Sequence, residues 1–173
     1  MHSSLVMTVI GPDRPGLVDT LATLIAQHEG NWTESRMAHL SGQFAGILQV
    51  VVPSANVAAL QKDLLSLASS GLRVSAVSDR PTPAGAGLPE LALELLGHDR
   101  PGIVREIAKA LAECGVNVEE LHTEVQSAPM SGEALFRAQA RLRLPANGDV
   151  TALRQQLARA AERLEVEVTL SNR

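Results

Sequence analysis

Leu5, Met7 and Val9 recur at every second position, with polar Thr8 between two of them. A period of two predicts a strand with one buried face. From residue 17 the spacing changes. Leu17, Leu21, Leu24, Ile25 and His28 fall at i, i+4, i+7, i+8 and i+11, the buried stripe of an amphipathic helix. The clearest alternation lies further on, where Phe136, Ala138, Ala140, Leu142 and Leu144 interleave with Arg137, Gln139, Arg141 and Arg143. This run, Leu135 to Leu144, predicts a half-exposed strand, preceded by an extended run from Val118 to Val125. Between these two runs, residues 127–132 read as a hairpin loop, and Ser41-Gly42 is the shorter turn that does the same work earlier in the chain. Second helices are expected around Leu60, Leu64 and Leu67, and around Leu153, Leu157 and Leu164. Closing strands are expected over Leu72–Val77 and Glu165–Leu170.

The pattern is duplicated. Gly11-Pro12-Asp13-Arg14-Pro15-Gly16-Leu17-Val18 returns as Gly97-His98-Asp99-Arg100-Pro101-Gly102-Ile103-Val104, with six of the eight positions identical and an offset of 97 − 11 = 86. The same offset carries Leu5, Met7 and Val9 onto Leu91, Leu93 and Leu95, the first helix onto one built on Ile103, Ile107, Leu111 and Cys114, and Asn31 onto Asn117. Gly30 and Gly115 mark the helix stops before these asparagines. A repeat of this length sets the architecture. Each copy reads β-α-β-β-α-β, which predicts an α+β protein: two ferredoxin-like βαββαβ sandwiches in tandem, each with four antiparallel strands and both helices on one face. The expected domains are 1–78 and 90–173. Prolines and glycines within 79–89 mark a linker between them.

Composition then removes several functions. Aromatics are 2% of the chain, so Leu, Val, Ile and Ala must build the cores, with Phe44, Phe136 and Trp32 as the large rings. A net charge of −4, with no dense Lys/Arg run, gives no electrostatic footprint for a phosphate backbone, so direct nucleic-acid binding is not expected. The N-terminus has no basic region of a signal peptide, and no stretch has the roughly 18 apolar residues of a membrane span. A single cysteine, Cys114, forms no internal disulfide and reads as a small core residue on the helix stripe. The expectation is a cytoplasmic protein with no membrane contact. His2, His28, His39, His98 and His122 show no metal-ligand spacing, and His28 reads as a core residue like Cys114. No nucleophile elbow, phosphate loop or dinucleotide fingerprint occurs, so neither metal, cofactor nor catalysis is expected. Met1 and a final strand ending near Leu170 read as a whole chain rather than the sensing fragment of an enzyme.

The duplicated loop has chemistry of its own. Pro15 and Pro101 stand beside the first helical turn, where a missing amide hydrogen costs nothing. Gly16 and Gly102 let backbone approach a neighbour closely. Free amides at the helix start, with the positive end of the helix dipole, attract a carboxylate such as that of an amino acid. Asp-Arg-Pro-Gly between strand and helix, followed by Asn after the helix, resembles the ACT regulatory domain over nearly the whole chain, twice.

The continuation of the first copy, residues 31–44, resembles more narrowly the tandem-ACT repressors that control glycine cleavage. That likeness implies an amino-acid-responsive repressor without a DNA-binding domain. It would act by contacting a transcription activator, with a small amino acid such as glycine as its signal. The resemblance implies ligand sites that join the loop of one domain to the asparagine of the other. One would take Gly11, Asp13, Arg14, Pro15 and Gly16 with Asn117, and the other Gly97, Asp99, Arg100, Pro101 and Gly102 with Asn31. Asp13 or Asp99 would accept the ligand's ammonium. Two plainer readings stay open. The Asp-Arg pairs suit surface salt bridges and helix caps, and the asparagines suit turns. A ligand-free pair that mediates assembly, or the sensing module of a one-carbon or amino-acid enzyme, would carry the same pattern. So would a homodimer formed through strand edges or helices.

Overall fold

The computed structural model describes residues 1–78, 88–127 and 132–172. The first copy runs β1 (His2–Pro12), α1 (Leu17–Gln27), β2 (Asn31–Leu40), β3 (Gln43–Pro53), α2 (Val57–Ser66) and β4 (Arg73–Ser78), with 3-10 turns at Ser54–Asn56 and Leu67–Ser70. The second runs β5 (Glu90–His98), α3 (Ile103–Glu113), β6 (Asn117–Ser127), β7 (Ala134–Arg143), α4 (Val150–Leu164) and β8 (Val166–Asn172). Strand orders are β2-β3-β1-β4 and β6-β7-β5-β8. Every pairing is antiparallel. The chain divides into two compact units, Met1–Thr82 and Pro83–Arg173. This is the expected pair of βαββαβ sandwiches. No described helix is long and apolar enough to cross a membrane.

Each sheet buries the face that the alternation marks. In the first unit Leu5, Met7 and Val9 of β1 and Leu48, Val50 and Val52 of β3 meet Leu17, Leu21 and Ile25 of α1 and Leu60 and Leu64 of α2. In the second, Leu91, Leu93 and Leu95 with Phe136, Ala138, Ala140 and Leu142 meet Ile103, Ile107 and Leu111 of α3 and Leu153, Leu157 and Leu164 of α4. Removing each such aliphatic side chain from water contributes about 1.5–3 kcal/mol. Cys114 packs at the edge of the second core, and Trp32 and Phe44 pack at the edge of the first.

The hairpin at Ser41-Gly42 has both central residues in the left-handed region, φ 49° and 77°. Two such residues make the turn whose twist matches the flanking strands. Both first hairpin strands carry a bulge at the same place in the repeat, between Trp32 and Glu34 in β2 and between Val118 and Glu120 in β6. Thr33 and Glu119 are the extra residues.

Four expectations need adjustment. His28 is not a core residue: its Nε2 lies 2.9 Å from Asp63 Oδ2, and Asn56 Nδ2 donates to its carbonyl at 3.0 Å, so it ties α1 to α2 by polar contacts. The closing strand of the first unit begins at Arg73, because buried Leu72 plugs the core from the turn before it. That of the second begins at Val166, because Glu165 caps α4 at φ 53°. Strand β6 runs on to Ser127, while residues 128–131 of the expected hairpin loop lie outside the described residues. The expected linker lies outside them too, except for Leu88 and Pro89.

Candidate functional site

Each strand-to-helix loop is pinned on two sides. Asp13 N–H donates to the Gly42 carbonyl at 2.9 Å, and Asp99 N–H to the Ala134 carbonyl at 2.9 Å, so each loop is tied to the neighbouring hairpin. On the other side Arg14 Nη2 donates to the Ser70 carbonyl at 3.2 Å. Arg100 Nη2 donates to the Arg163 carbonyl at 3.5 Å, with Nη1 3.5 Å from Glu165 Oε2. Both arginines therefore reach carbonyls just past or within the last turn of the second helix, where the helix dipole is negative and acceptors are spare. They brace the loop.

The two glycine pairs do different work. Gly16 and Gly102 are the residues before the helices, with φ of 89° and 98°, and a Cβ there would meet nothing within 4 Å. Glycine is needed for the backbone angle, and the space in front stays open. Gly11 and Gly97 are packing positions. A Cβ on Gly11 would sit 2.7 Å from the Gly71 carbonyl oxygen, and one on Gly97 would sit 2.9 Å from Val166 Cβ.

No side chain caps α1 or α3. Thr20 turns its N–H and hydroxyl to the Gly16 carbonyl, at 2.9 and 2.8 Å, and Glu106 N–H takes the Gly102 carbonyl at 3.0 Å. Pro15 and Pro101 come one residue before these glycines. The amides of the first turn thus have no side-chain cap, a setting that favours an anion.

Asn31 and Asn117 open β2 and β6 at the opposite end of their own sheets. Asn31 stands against Val51, which stands against Ser4, whereas Gly11 is seven residues further along β1. At roughly 3.3 Å per residue that is about 23 Å. Asn117, Arg143 and Glu90 repeat the arrangement relative to Gly97. Neither unit brings its own loop and its own asparagine together. Among the described residues no cluster of three or more His, Cys, Asp or Glu is placed to hold a metal ion.

Sequence reasoning placed the loops and asparagines but missed the arginine braces, whose acceptors lie 56 and 63 residues away. Nothing in the motif identifies a distant carbonyl.

Comparison with known proteins follows the same duplication. The ACT domain profile matches residues 3–76 and again residues 90–171. The glycine cleavage system transcriptional repressor of Escherichia coli (strain K12) is 26% identical over 153 residues, covering 87% of this chain and 80% of that one. Among solved structures, an unknown protein from Galdieria sulphuraria superposes with a TM-score of 0.88 at 31% identity, covering 100% of this chain and 99% of that one. A second, provisionally described as a glycine cleavage system transcriptional repressor, superposes with a TM-score of 0.73 at 17% identity over 100% of this chain and 98% of its own, and shares the fold.

Proposed function

The chain belongs to the ACT domain family and carries the domain twice; from that premise we propose that it is an amino-acid-responsive transcriptional regulator, not an enzyme. The observation that carries this reading is the pair of braced loops, each leading into a helix start that no side chain caps. An α-amino acid matches that chemistry, since its carboxylate needs donors and its ammonium needs an acceptor such as Asp13 or Asp99. Glycine is the first ligand to try, because the curated relative is a repressor of the glycine cleavage system.

Regulation would pass through protein contact with a transcription activator in the cytoplasm. A net charge of −4 favours this route over direct DNA binding. A gel-shift with the purified chain alone, on the promoter of the glycine cleavage genes of its own genome, is expected to show no complex at physiological salt. A specific, salt-sensitive shift would overturn the partner-mediated route.

A further inference from the structure

The two sheets differ on the faces that turn away from their helices. In the first, Val6, Thr8 and Ile10 of β1 alternate with the buried Leu5, Met7 and Val9, so they point outward. Residues directly opposite in register share that face. Ile10 therefore stands beside Ala45 and Ala45 beside Ala38, while Thr8 stands beside Ile47 and Val6 beside Val77. The centre of this face is apolar. Ile10 and Ile47 are 41% and 45% exposed although β1 and β3 are the two interior strands, and Val77 on the edge is 59% exposed.

The second sheet is a control within the same chain. Where the first has Ala38, Ala45 and Ile47, the repeat carries Glu124, Arg137 and Gln139 at the same places in the register. Arg137 lies 4.0 Å from Glu124, Arg141 2.6 Å from Glu120 and Arg143 3.2 Å from Glu90. That face is a grid of ion pairs suited to water. One fold built twice thus has a charged outer face in one copy and an apolar one in the other. The fold itself does not demand the apolar face, and a contiguous apolar patch at the middle of a sheet marks an interaction surface.

We propose that the outer face of the first sheet is the contact through which two copies of this chain form a dimer, sheet on sheet. The face carries its own complement. Ala38 and Ala45 leave an open hollow beside the side chains of Ile10 and Ile47, so a two-fold axis that sets the isoleucines of one copy into the hollow of its partner does the same in return. Of the two outer sheet faces this is the apolar one, so a sheet of matching chemistry drawn from this chain is the same face of another copy. Charge does not oppose the contact. Arg36 Nη1 donates to Glu34 Oε1 at 2.8 Å and Gln49 Nε2 donates to Ser4 Oγ at 3.0 Å, so polar side chains at one end of the face pair among themselves. Strands β1, β2 and β3 are 11, 10 and 11 residues long and β4 is 6. At strand spacings near 4.8 Å and about 3.3 Å per residue they offer roughly 600 Å² per copy. A standard interface takes about 800 Å² per partner, so association at micromolar rather than nanomolar concentration is expected.

Sedimentation velocity of the full chain from about 1 µM to about 1 mM tests the proposal. A reversible monomer–dimer equilibrium is expected for the unaltered chain. Ala38→Glu with Ala45→Arg, which copies the pair that the second sheet carries at Glu124 and Arg137, should weaken association at least about tenfold. Ile47→Gln should weaken it about threefold or more, whereas Arg137→Ala, on the second sheet, should leave it within about twofold. Denaturation followed by Trp32 emission checks that the first unit of each variant stays folded. A chain that remains monomeric throughout the range, or a dimer that both first-sheet variants leave unchanged while folded, would overturn the proposal and leave the face to a different protein partner.

Discussion

Gly11→Ala is expected to destabilise the first unit by about 1–3 kcal/mol or more, the cost of forcing an extra methyl into a packed position. Gly11 is buried where β1 passes the turn before β4, and the new Cβ would lie 2.7 Å from the Gly71 carbonyl oxygen and 3.2 Å from Leu72 Cα. These neighbours are backbone. They cannot swing aside as a side chain can, and Leu72 is itself a core residue. Trp32, the single tryptophan, packs against the first core. Its emission therefore reports this unit. Denaturation followed by Trp32 fluorescence should show an earlier midpoint for Gly11→Ala than for the unaltered chain. An unchanged midpoint would mean that glycine at this position is required by something other than packing.

Gly102→Val is expected to reduce amino-acid affinity at least tenfold while leaving the second core assembled. Here space is not the obstacle, because a Cβ would meet nothing within 4 Å. The obstacle is φ at 98°. A β-branched residue held there costs on the order of 1–3 kcal/mol, and the loop relieves that strain by rotating the amides that start α3. Amide direction is what carboxylate capture depends on. Equilibrium dialysis of labelled glycine against the folded variant measures the loss; affinity within twofold of the unaltered chain would remove the α3 helix start from the site.

The sequence displays the fold because its signals are local. Period-two runs such as 135–144, helical spacing such as Leu17, Leu21 and Ile25, and a repeated octapeptide each state one element, and the repeat states them twice. The site is half legible for the same reason. Asp, Pro and Gly of the loop act through their own backbone, so their type and order reveal them. Arg14 and Arg100 act on carbonyls far along the chain, and Gly11 and Gly97 act on a strand edge closed only at the end of each unit. His28 looked apolar by position, yet Asp63, reached only when α1 and α2 pack, makes it polar. The bulges at Thr33 and Glu119 carry no glycine to announce them.

Equilibrium dialysis of the full chain against each of the twenty amino acids in turn tests the central claim most directly, since sensing requires a ligand before it requires a partner. The account predicts saturable uptake of at least one small amino acid, glycine first among them, lost when Asp13 and Asp99 are both replaced by Ala. Uptake of none at millimolar concentration would contradict it and leave a pair of ACT domains that serve assembly alone.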